Sequence, residues 1–290
     1  MRLLVLGVGG MVGRVVAEHA RAAGDEVFAL DRARLDITDK ARVEAAFDEA
    51  RPEAVINCAA WTDVDGCELD PQRAYDTNGR AVEHLAASAR RHDAAFVTIS
   101  TDYVFDGRKD GFYTQRDDPN PESVYGKAKL QGERYAQCAY ARSVVVRTGW
   151  IFGAGGRNFL ATVVERARRG ERLHAIRDAY GTPTYAPDLA ARLRELALLD
   201  LPGVYHVANA GGGASFEEFA RAAVEVAGCA NVDIESVSMD SLEHPAPRPR
   251  NSRLRCLISE RLGLAPLPDW REALGRHAAQ TVAAADGART

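Results

Sequence analysis

The sequence predicts an α/β protein: a doubly wound parallel sheet with helices on both faces, joined to a smaller α/β C-terminal lobe. Three observations predict it. Short β-branched runs alternate strictly with longer segments of helical periodicity through the first half. Those runs are apolar at successive positions, as strands buried on both faces are. A glycine-rich turn joins the first run to the first helix.

Arg2–Leu6 opens the chain as a buried strand, and Met11–Ala23 carries helical periodicity up to Gly24, a C-terminal stop. Glu26–Leu30 reads as the second strand. Lys40–Ala50 follows as a helix with Asp39 as its N-cap, and Ala54–Ala59 as the third strand. Pro71–His92 is one long helical segment, Ala94–Ser100 the fourth strand, and Ser143–Thr148 the fifth. Between the last two, a helix starts near Tyr125 and continues through Gln131–Cys138. Beyond about residue 150 the pattern is less regular. Asn158–Arg169 and Pro187–Leu199 are helical, Leu173–Ile176 and Gly203–Val207 are strands, and Gly211-Gly212-Gly213 is a loop. Ser215 with Glu218 forms a capping box for a helix over Phe216–Ala227. His244–Asn251, rich in Pro and Arg, is extended, and the small, polar 279–290 segment reads as a frayed, flexible tail.

Composition narrows the function classes. At 290 residues, 46% hydrophobic and 27% charged, the chain is an ordinary folded protein of one large or two intimate domains. Lys+Arg 37 against Asp+Glu 41 gives a net charge of -4, no electrostatic reason for a nucleic-acid or acidic-membrane partner. Apolar stretches such as Ala54–Trp61 fall far short of the roughly 20 residues that span a bilayer. Met1-Arg2 runs straight into a strand, so no secretory signal is expected. The five cysteines form no CxxC pair and the histidines no HxxxH or HExxH pair, which predicts neither disulfides nor a metal site. A cytoplasmic protein is expected.

The first strand enters Gly7-Val8-Gly9-Gly10-Met11-Val12-Gly13, in which Gly7, Gly10 and Gly13 fit G-x-x-G-x-x-G at a strand-to-helix junction. Small residues there permit a tight turn and let a pyrophosphate reach the backbone, while the helix N-terminus supplies amide donors and a favourable dipole. This predicts a Rossmann-type dinucleotide-binding domain over 1–150, with a segment near 185–208 returning to it, and a substrate-binding lobe mainly over 151–275. Asp31 ends the second strand, where a carboxylate hydrogen-bonds ribose hydroxyls. Its neighbours Arg32 and Arg34 suit a 2′-phosphate, so NADPH and NADH both stay open. Asp36-Ile37 lies where an adenine would be capped.

Tyr125-Gly126-Lys127-Ala128-Lys129 places a tyrosine and a lysine four apart on one helix face. A neighbouring ammonium is expected to lower the phenol pKa and make Tyr125 a better proton donor. Upstream, Ser100-Thr101-Asp102 stands at the carboxyl end of the fourth strand, the edge of a parallel sheet where ligands bind.

These segments, with Asn57-Cys58-Ala59-Ala60, together resemble the extended short-chain dehydrogenase/reductases. Trp61-Thr62-Asp63-Val64-Asp65, Arg147-Thr148-Gly149-Trp150, Gly181-Thr182-Pro183-Thr184 and Arg248-Pro249-Arg250-Asn251-Ser252-Arg253-Leu254 narrow the resemblance to the dTDP-4-dehydrorhamnose reductase family, over nearly the whole chain. The resemblance implies hydride reduction of the C4 ketone of a dTDP-sugar. It implies Thr101, Tyr125 and Lys129 as catalytic residues, with Tyr125 the proton donor and Lys129 on the nicotinamide ribose. Gly7, Gly10, Met11, Val12, Gly13, Asp31, Arg32, Asp36, Ile37, Ala59, Ala60, Trp61 and Thr62 would hold the cofactor. Thr101, Asp102, Trp150, Asn158 and Arg248 would hold the substrate, Arg248 on its diphosphate. Some members carry an acidic residue two positions after the last glycine, which helps bind Mg²⁺ at a dimer interface. Val15 stands there, which argues against Mg²⁺ and that dimer, leaving monomer or homodimer open. Gly149 stands where a serine is common in relatives. A dehydratase would need Asp-Glu directly after the threonine, and Asp102-Tyr103 lacks the second carboxylate. Remaining competitors are an epimerase, a reductase of another nucleotide-4-keto-6-deoxysugar, and a non-catalytic cofactor-binding regulatory subunit.

Overall fold

The computed structural model describes residues 1–156, 158–229 and 231–287. The first half runs β1 (Arg2–Leu6), α1 (Met11–Ala22), β2 (Glu26–Leu30), α2 (Lys40–Ala50), β3 (Ala54–Asn57), α3 (Val64–Leu69), α4 (Pro71–Tyr75), α5 (Ala81–Arg91), β4 (Ala95–Thr101), α6 (Val124–Ala139) and β5 (Ser143–Thr148). Then come β6 (Ile151–Phe152), α7 (Phe159–Arg168), β7 (Leu173–Ile176), β8 (Tyr180–Gly181), β9 (Thr184–Tyr185), α8 (Ala186–Leu199) and β10 (Gly203–His206). The chain closes with β11 (Ala214–Ser215), α9 (Phe216–Val226), β12 (Ile234–Val237), α10 (Leu257–Arg261) and α11 (Trp270–Gly287).

Six parallel strands form the main sheet in the order β10-β5-β4-β3-β1-β2. The chain starts at β1, steps out to β2, then crosses back to β3 and onward. The resulting switch point opens a crevice at the carboxyl ends of β1 and β3. Side-chain alternation explains why both faces must be covered. Leu3, Val5, Ile56, Val97, Val144 and Val146 pack beneath α1 and α8, whereas Leu4, Leu6, Val55 and Phe96 pack beneath α2, α5 and α6. The second lobe has its own core of Phe152, Leu160, Tyr185, Phe219 and Trp270. The expected caps form: Asp39 accepts from the Arg42 N–H at 3.1 Å, and Ser215 and Glu218 bond each other's backbone amides at 3.0 and 2.7 Å.

Two of the expected elements take another form. The helical segment from Pro71 widens into a π-helical turn over Asp76–Arg80 between α4 and α5. That turn aims the Asn78 amide at the loop after β3, where it accepts from the Trp61 N–H and donates to the Trp61 carbonyl, both at 2.9 Å. The expected tail from Ala279 is instead helix as far as Gly287. Trp270, Ala273 and Leu274 anchor α11 in the lobe core, and Tyr185 donates to Gln280 at 2.8 Å. The alanine-rich continuation has high helix propensity once the first turns are docked. Residues 288–290 lie outside the described residues. No helix among the described residues is long and apolar enough to cross a membrane.

At the β10 edge, His206 is buried, with Nδ1 3.1 Å from the carbonyls of Tyr113 and Arg255. Two acceptors there require the Nδ1–H tautomer. Burial, helped by the Arg147 charge, pulls its pKa down to about 4. The folded pKa lies below the ordinary value, so the stability this residue contributes is full above about pH 6.5 and is lost as pH falls toward 4. The unfolding free energy of His206→Asn from urea titration should therefore depend less on pH between 7 and 5 than that of the parent, by up to about 1.4 kcal/mol per pH unit. Equal slopes would remove His206 from the acid transition.

Candidate active site

The glycine turn is shaped by steric exclusion. Gly7 sits at φ 81, and its N–H donates to the Leu30 carbonyl at 2.8 Å, tying the turn to the end of β2. A Cβ on Gly7 would lie 2.7 Å from the Ala59 nitrogen, and one on Gly13 would collide with the Gly7 carbonyl oxygen. Gly10 caps α1 with no side chain on the first-turn amides. Those N–H groups therefore face the crevice with the positive end of the helix dipole, a cradle that fits a dinucleotide pyrophosphate.

The crevice opens into a cleft of about 1560 Å³. A pocket for a single small ligand measures roughly 300–1,000 Å³, so there is room for a cofactor and a second ligand together. Of the residues expected in the site, all but Asp31 and Arg248 line it. The Asp31 carboxylate turns back to accept the Arg34 N–H at 2.9 Å, and the residue stands at the rim beside Gly9. Arg248, expected on the substrate diphosphate, is occupied elsewhere in this structure and does not line the cleft. Its guanidinium makes a bidentate pair with Asp65 at 2.9 and 2.7 Å and also donates to the Ala246 carbonyl. That guanidinium holds the Asp65 carboxyl below its usual range and latches the Pro/Arg segment onto α3. Asn158 lines the cleft, but its hydrogen-bonding groups are committed. Oδ1 caps α7 through the Ala161 N–H at 2.9 Å, and Nδ2 donates to the Gly153 and Gly156 carbonyls at 3.2 Å. It shapes a loop instead of presenting a free amide to substrate.

Trp150 forms a fixed flat wall. Its backbone is left-handed (φ 49), its ring stacks on Phe216 at 3.8 Å, and the Gly181 backbone lies so close that a Cβ there would enter the indole.

The three chemical side chains meet where β4 ends beside α6. Ser123 caps α6 by accepting the Gly126 N–H at 3.1 Å. Glycine at 126 lets the helix start against the Tyr103 carbonyl, which any Cβ would strike. Thr101, Tyr125 and Lys129 are all buried. Lys129 Nζ donates to the Ile99 carbonyl at 2.7 Å, and the Thr101 hydroxyl donates to Asp102 at 3.1 Å. The electrostatics differ from expectation. Burial pushes the Tyr125 phenol up, and the chief opposing effect is its hydrogen bond with Thr101, not the Lys129 charge. Lys129 itself is brought down to about 8 by burial. Tyr125 is therefore a protonated phenol at neutral pH, one helical turn before Lys129. Burial raises Asp102 to about 6, and its Oδ2 has no hydrogen-bond partner among the described residues. Its carboxylate fills the space where a Cβ of residue 149 would be, so Gly149 is the residue this rotamer requires.

Residues 1–283 match the family model of the RmlD substrate binding domain. The chain belongs to that family. It is 39% identical over 292 residues to a dTDP-4-dehydrorhamnose reductase of Mycolicibacterium smegmatis, across 100% of this chain and 87% of that protein. It is 36% identical over 285 residues to the spore coat polysaccharide biosynthesis protein SpsK of Bacillus subtilis, across 98% of this chain and 99% of that one. The crystal structure of dTDP-4-dehydrorhamnose reductase from Bacillus anthracis in complex with NADP superposes with a TM-score of 0.91 at 31% identity. That superposition covers 95% of this chain and 97% of the other.

Within this family framework, some residues that shape the site escaped the sequence reading. Asn78, which holds Trp61, depends on a π turn that propensity does not encode. Asp65, which occupies Arg248, lies 183 residues from it in sequence. Glu133 did leave a signal, standing four residues after Lys129 on the same helix face. Among the described residues no group of three or more His, Cys, Asp and Glu side chains could hold a metal ion.

Proposed function

We propose that the protein is an NAD(P)H-dependent 4-ketoreductase that converts dTDP-4-dehydro-6-deoxy-L-mannose into dTDP-L-rhamnose. The observation that carries this reading is the meeting of Thr101, Tyr125 and Lys129, buried at the carboxyl edge of the sheet in a cleft with room for cofactor and nucleotide sugar. The glycine cradle takes the pyrophosphate, with Asp36 and Ile37 toward the adenine and Ala59, Ala60, Trp61 and Thr62 along the opposite wall. When bound, the dihydronicotinamide supplies a hydride to C4. Tyr125 gives its phenolic proton to the C4 oxygen as charge develops there, and the Thr101 hydroxyl donates a hydrogen bond to the same oxygen. Lys129 offsets the charge of the resulting phenolate and faces the nicotinamide ribose. The Trp150 ring packs against the deoxyhexose, and the unpartnered Asp102 oxygen faces its hydroxyls. Tyr103, whose ring meets Tyr125 edge-on at 5.7 Å, stands where a dehydratase would need a second carboxylate.

The same reading divides the chain into a dinucleotide-binding domain over 1–150, completed by the 185–208 segment, and a substrate lobe mainly over 151–275. It makes the protein a cytoplasmic monomer or homodimer acting on a small molecule, with no nucleic-acid or membrane partner. Arg32 is the candidate reader of a 2′-phosphate. It is 76% exposed at the cleft rim and only 3.9 Å from its nearest counter-charge, Asp36, whereas Arg34 donates inward to the Ala29 carbonyl. Arg32→Ala should raise the NADPH Kd about tenfold or more and leave the NADH Kd unchanged. Equal effects on both cofactors would remove Arg32 from phosphate recognition.

A panel of nucleotide 4-ketosugars, with the product C4 configuration read by NMR, tests the substrate. dTDP-4-dehydro-L-rhamnose should be turned over fastest and give the L-rhamno product. Faster turnover of another 4-keto-6-deoxysugar would reassign the enzyme to that sugar.

A further inference from the structure

Behind the catalytic residues, on the sheet side of α6, lies a buried charged cluster that the mechanism does not use. Glu133 is 3% exposed and stands one helical turn after Lys129. Its carboxylate accepts the Ser100 hydroxyl from β4 and grips Arg147 of β5, with Nε–Oε1 at 3.0 Å and Nη2–Oε2 at 2.7 Å. Arg147, itself buried, reaches His206 of β10 at 3.5 Å. One carboxylate thus joins three elements at the points where they deliver functional side chains. Ser100 immediately precedes Thr101, Arg147 lies three residues before Trp150, and Glu133 shares a helix face with Lys129 and Tyr125. Stability alone is a poor reason for such a pair, because apolar replacements of buried ion pairs are often neutral or stabilising.

The surroundings of Lys129 point to a purpose. Glu133 faces it from its own helix, where Tyr125 stands one turn before it, Cys58 from the end of β3, and Cys67 from α3. The Ile99 carbonyl accepts its proton on β4, and Arg147 and His206 lie beyond Glu133. Burial holds both thiols protonated, Cys58 near 12 and Cys67 near 11, so neither supplies charge at neutral pH. The negative charge that opposes the desolvation of Lys129 comes first from Glu133.

We propose that Glu133, held by Arg147, is a positioning residue that keeps Lys129 an ammonium directed at the Ile99 carbonyl and locks the strand end carrying Thr101. Neither member of the pair touches substrate or cofactor; both act through Lys129 and Ser100. The proposal rests on the cofactor reading above only in that Lys129 faces the nicotinamide end of the cleft.

The test is the pH dependence of NADPH binding, followed by nicotinamide fluorescence between about pH 6.5 and 9.5 without substrate. The parent should lose affinity as pH rises past about 8, where Lys129 gives up its proton. In Glu133→Gln that loss should begin about one pH unit lower, with the Kd at pH 6.5 within about threefold of the parent. Arg147 left buried without its counter-charge could prevent folding of that variant. The paired Glu133→Gln/Arg147→Met protein removes both charges, and its loss of affinity should again begin at lower pH than in the parent, by a smaller step because the Arg147 charge goes with that of Glu133. Profiles that differ from the parent by a uniform offset, with the inflection unmoved, would reduce the cluster to packing and overturn the proposal. A parent that bound no NADPH would instead sink the cofactor reading. The Lys129 pKa is then read directly by pH-dependent acylation and peptide mass spectrometry, with the same displacement expected and the same null result overturning it.

Discussion

Tyr125→Phe is expected to lower kcat for the sugar reduction by about 10²–10⁴-fold while changing the NADPH Kd by less than about twofold. The split follows from where the lost atom sits. The ring is buried between Tyr103 and the start of α6, and phenylalanine fills the same volume, so the packing that shapes the cleft survives. Only the proton donor is lost. The Thr101 hydroxyl, which donates to Asp102 in this structure, can turn to hydrogen-bond the ketone but is too weak an acid to protonate it, and Lys129 is committed to the Ile99 carbonyl. Neither is placed to replace the phenol as acid. Turnover at the parent rate would assign the proton to another group, with Asp102 (raised to about 6 by burial) the first to examine.

Gly7→Ala should act on the other half of the site, raising the NADPH Kd at least tenfold and lowering Tm by several degrees. Two costs combine. An L-residue at φ 81 carries roughly 1–2 kcal/mol of backbone strain. The added methyl would also stand 2.7–2.8 Å from backbone atoms of Cys58 and Ala59, and backbone cannot rotate away as a side chain can. Relief requires parting β1 from the loop after β3, which displaces the cradle and the Ala59–Thr62 wall together. For a chain of this size each kcal/mol is worth roughly 2–4 °C in Tm. A variant with parent NADPH affinity would show that the turn tolerates opening and that the cradle is not what holds the pyrophosphate.

The parts of this molecule that were legible from sequence share a physical property: they are local. The β1–α1 glycine turn, the Asp39 and Ser215 caps and the Tyr125/Lys129 spacing are each specified within a few residues. The five apolar strands of the first half fall within two residues of where periodicity puts them, because strands buried on both faces have an uninterrupted apolar signature. Much of what was missed is non-local. The short strands β6 and β9 pair across more than thirty residues, and the Asp65–Arg248 latch spans 183. A guanidinium reads as a phosphate ligand until its partner is seen. The amide of Asn158 likewise reads as a free donor until the loop it holds is seen. The direction of the Tyr125 shift could not be read from spacing either. Spacing brings the ammonium near, but burial depth decides the sign, and depth is a property of the whole fold.

The claim at the centre of this account is direct reduction at C4 of a dTDP-linked 4-ketosugar. The most direct measurement incubates the enzyme with dTDP-4-dehydro-L-rhamnose and NADPH deuterated at the transferable position of the nicotinamide, and locates the label by NMR. The account predicts substrate-dependent loss of NADPH absorbance and one deuterium at C4 of dTDP-L-rhamnose. No substrate-dependent oxidation at substantial enzyme concentration, or label at any other carbon, would contradict it.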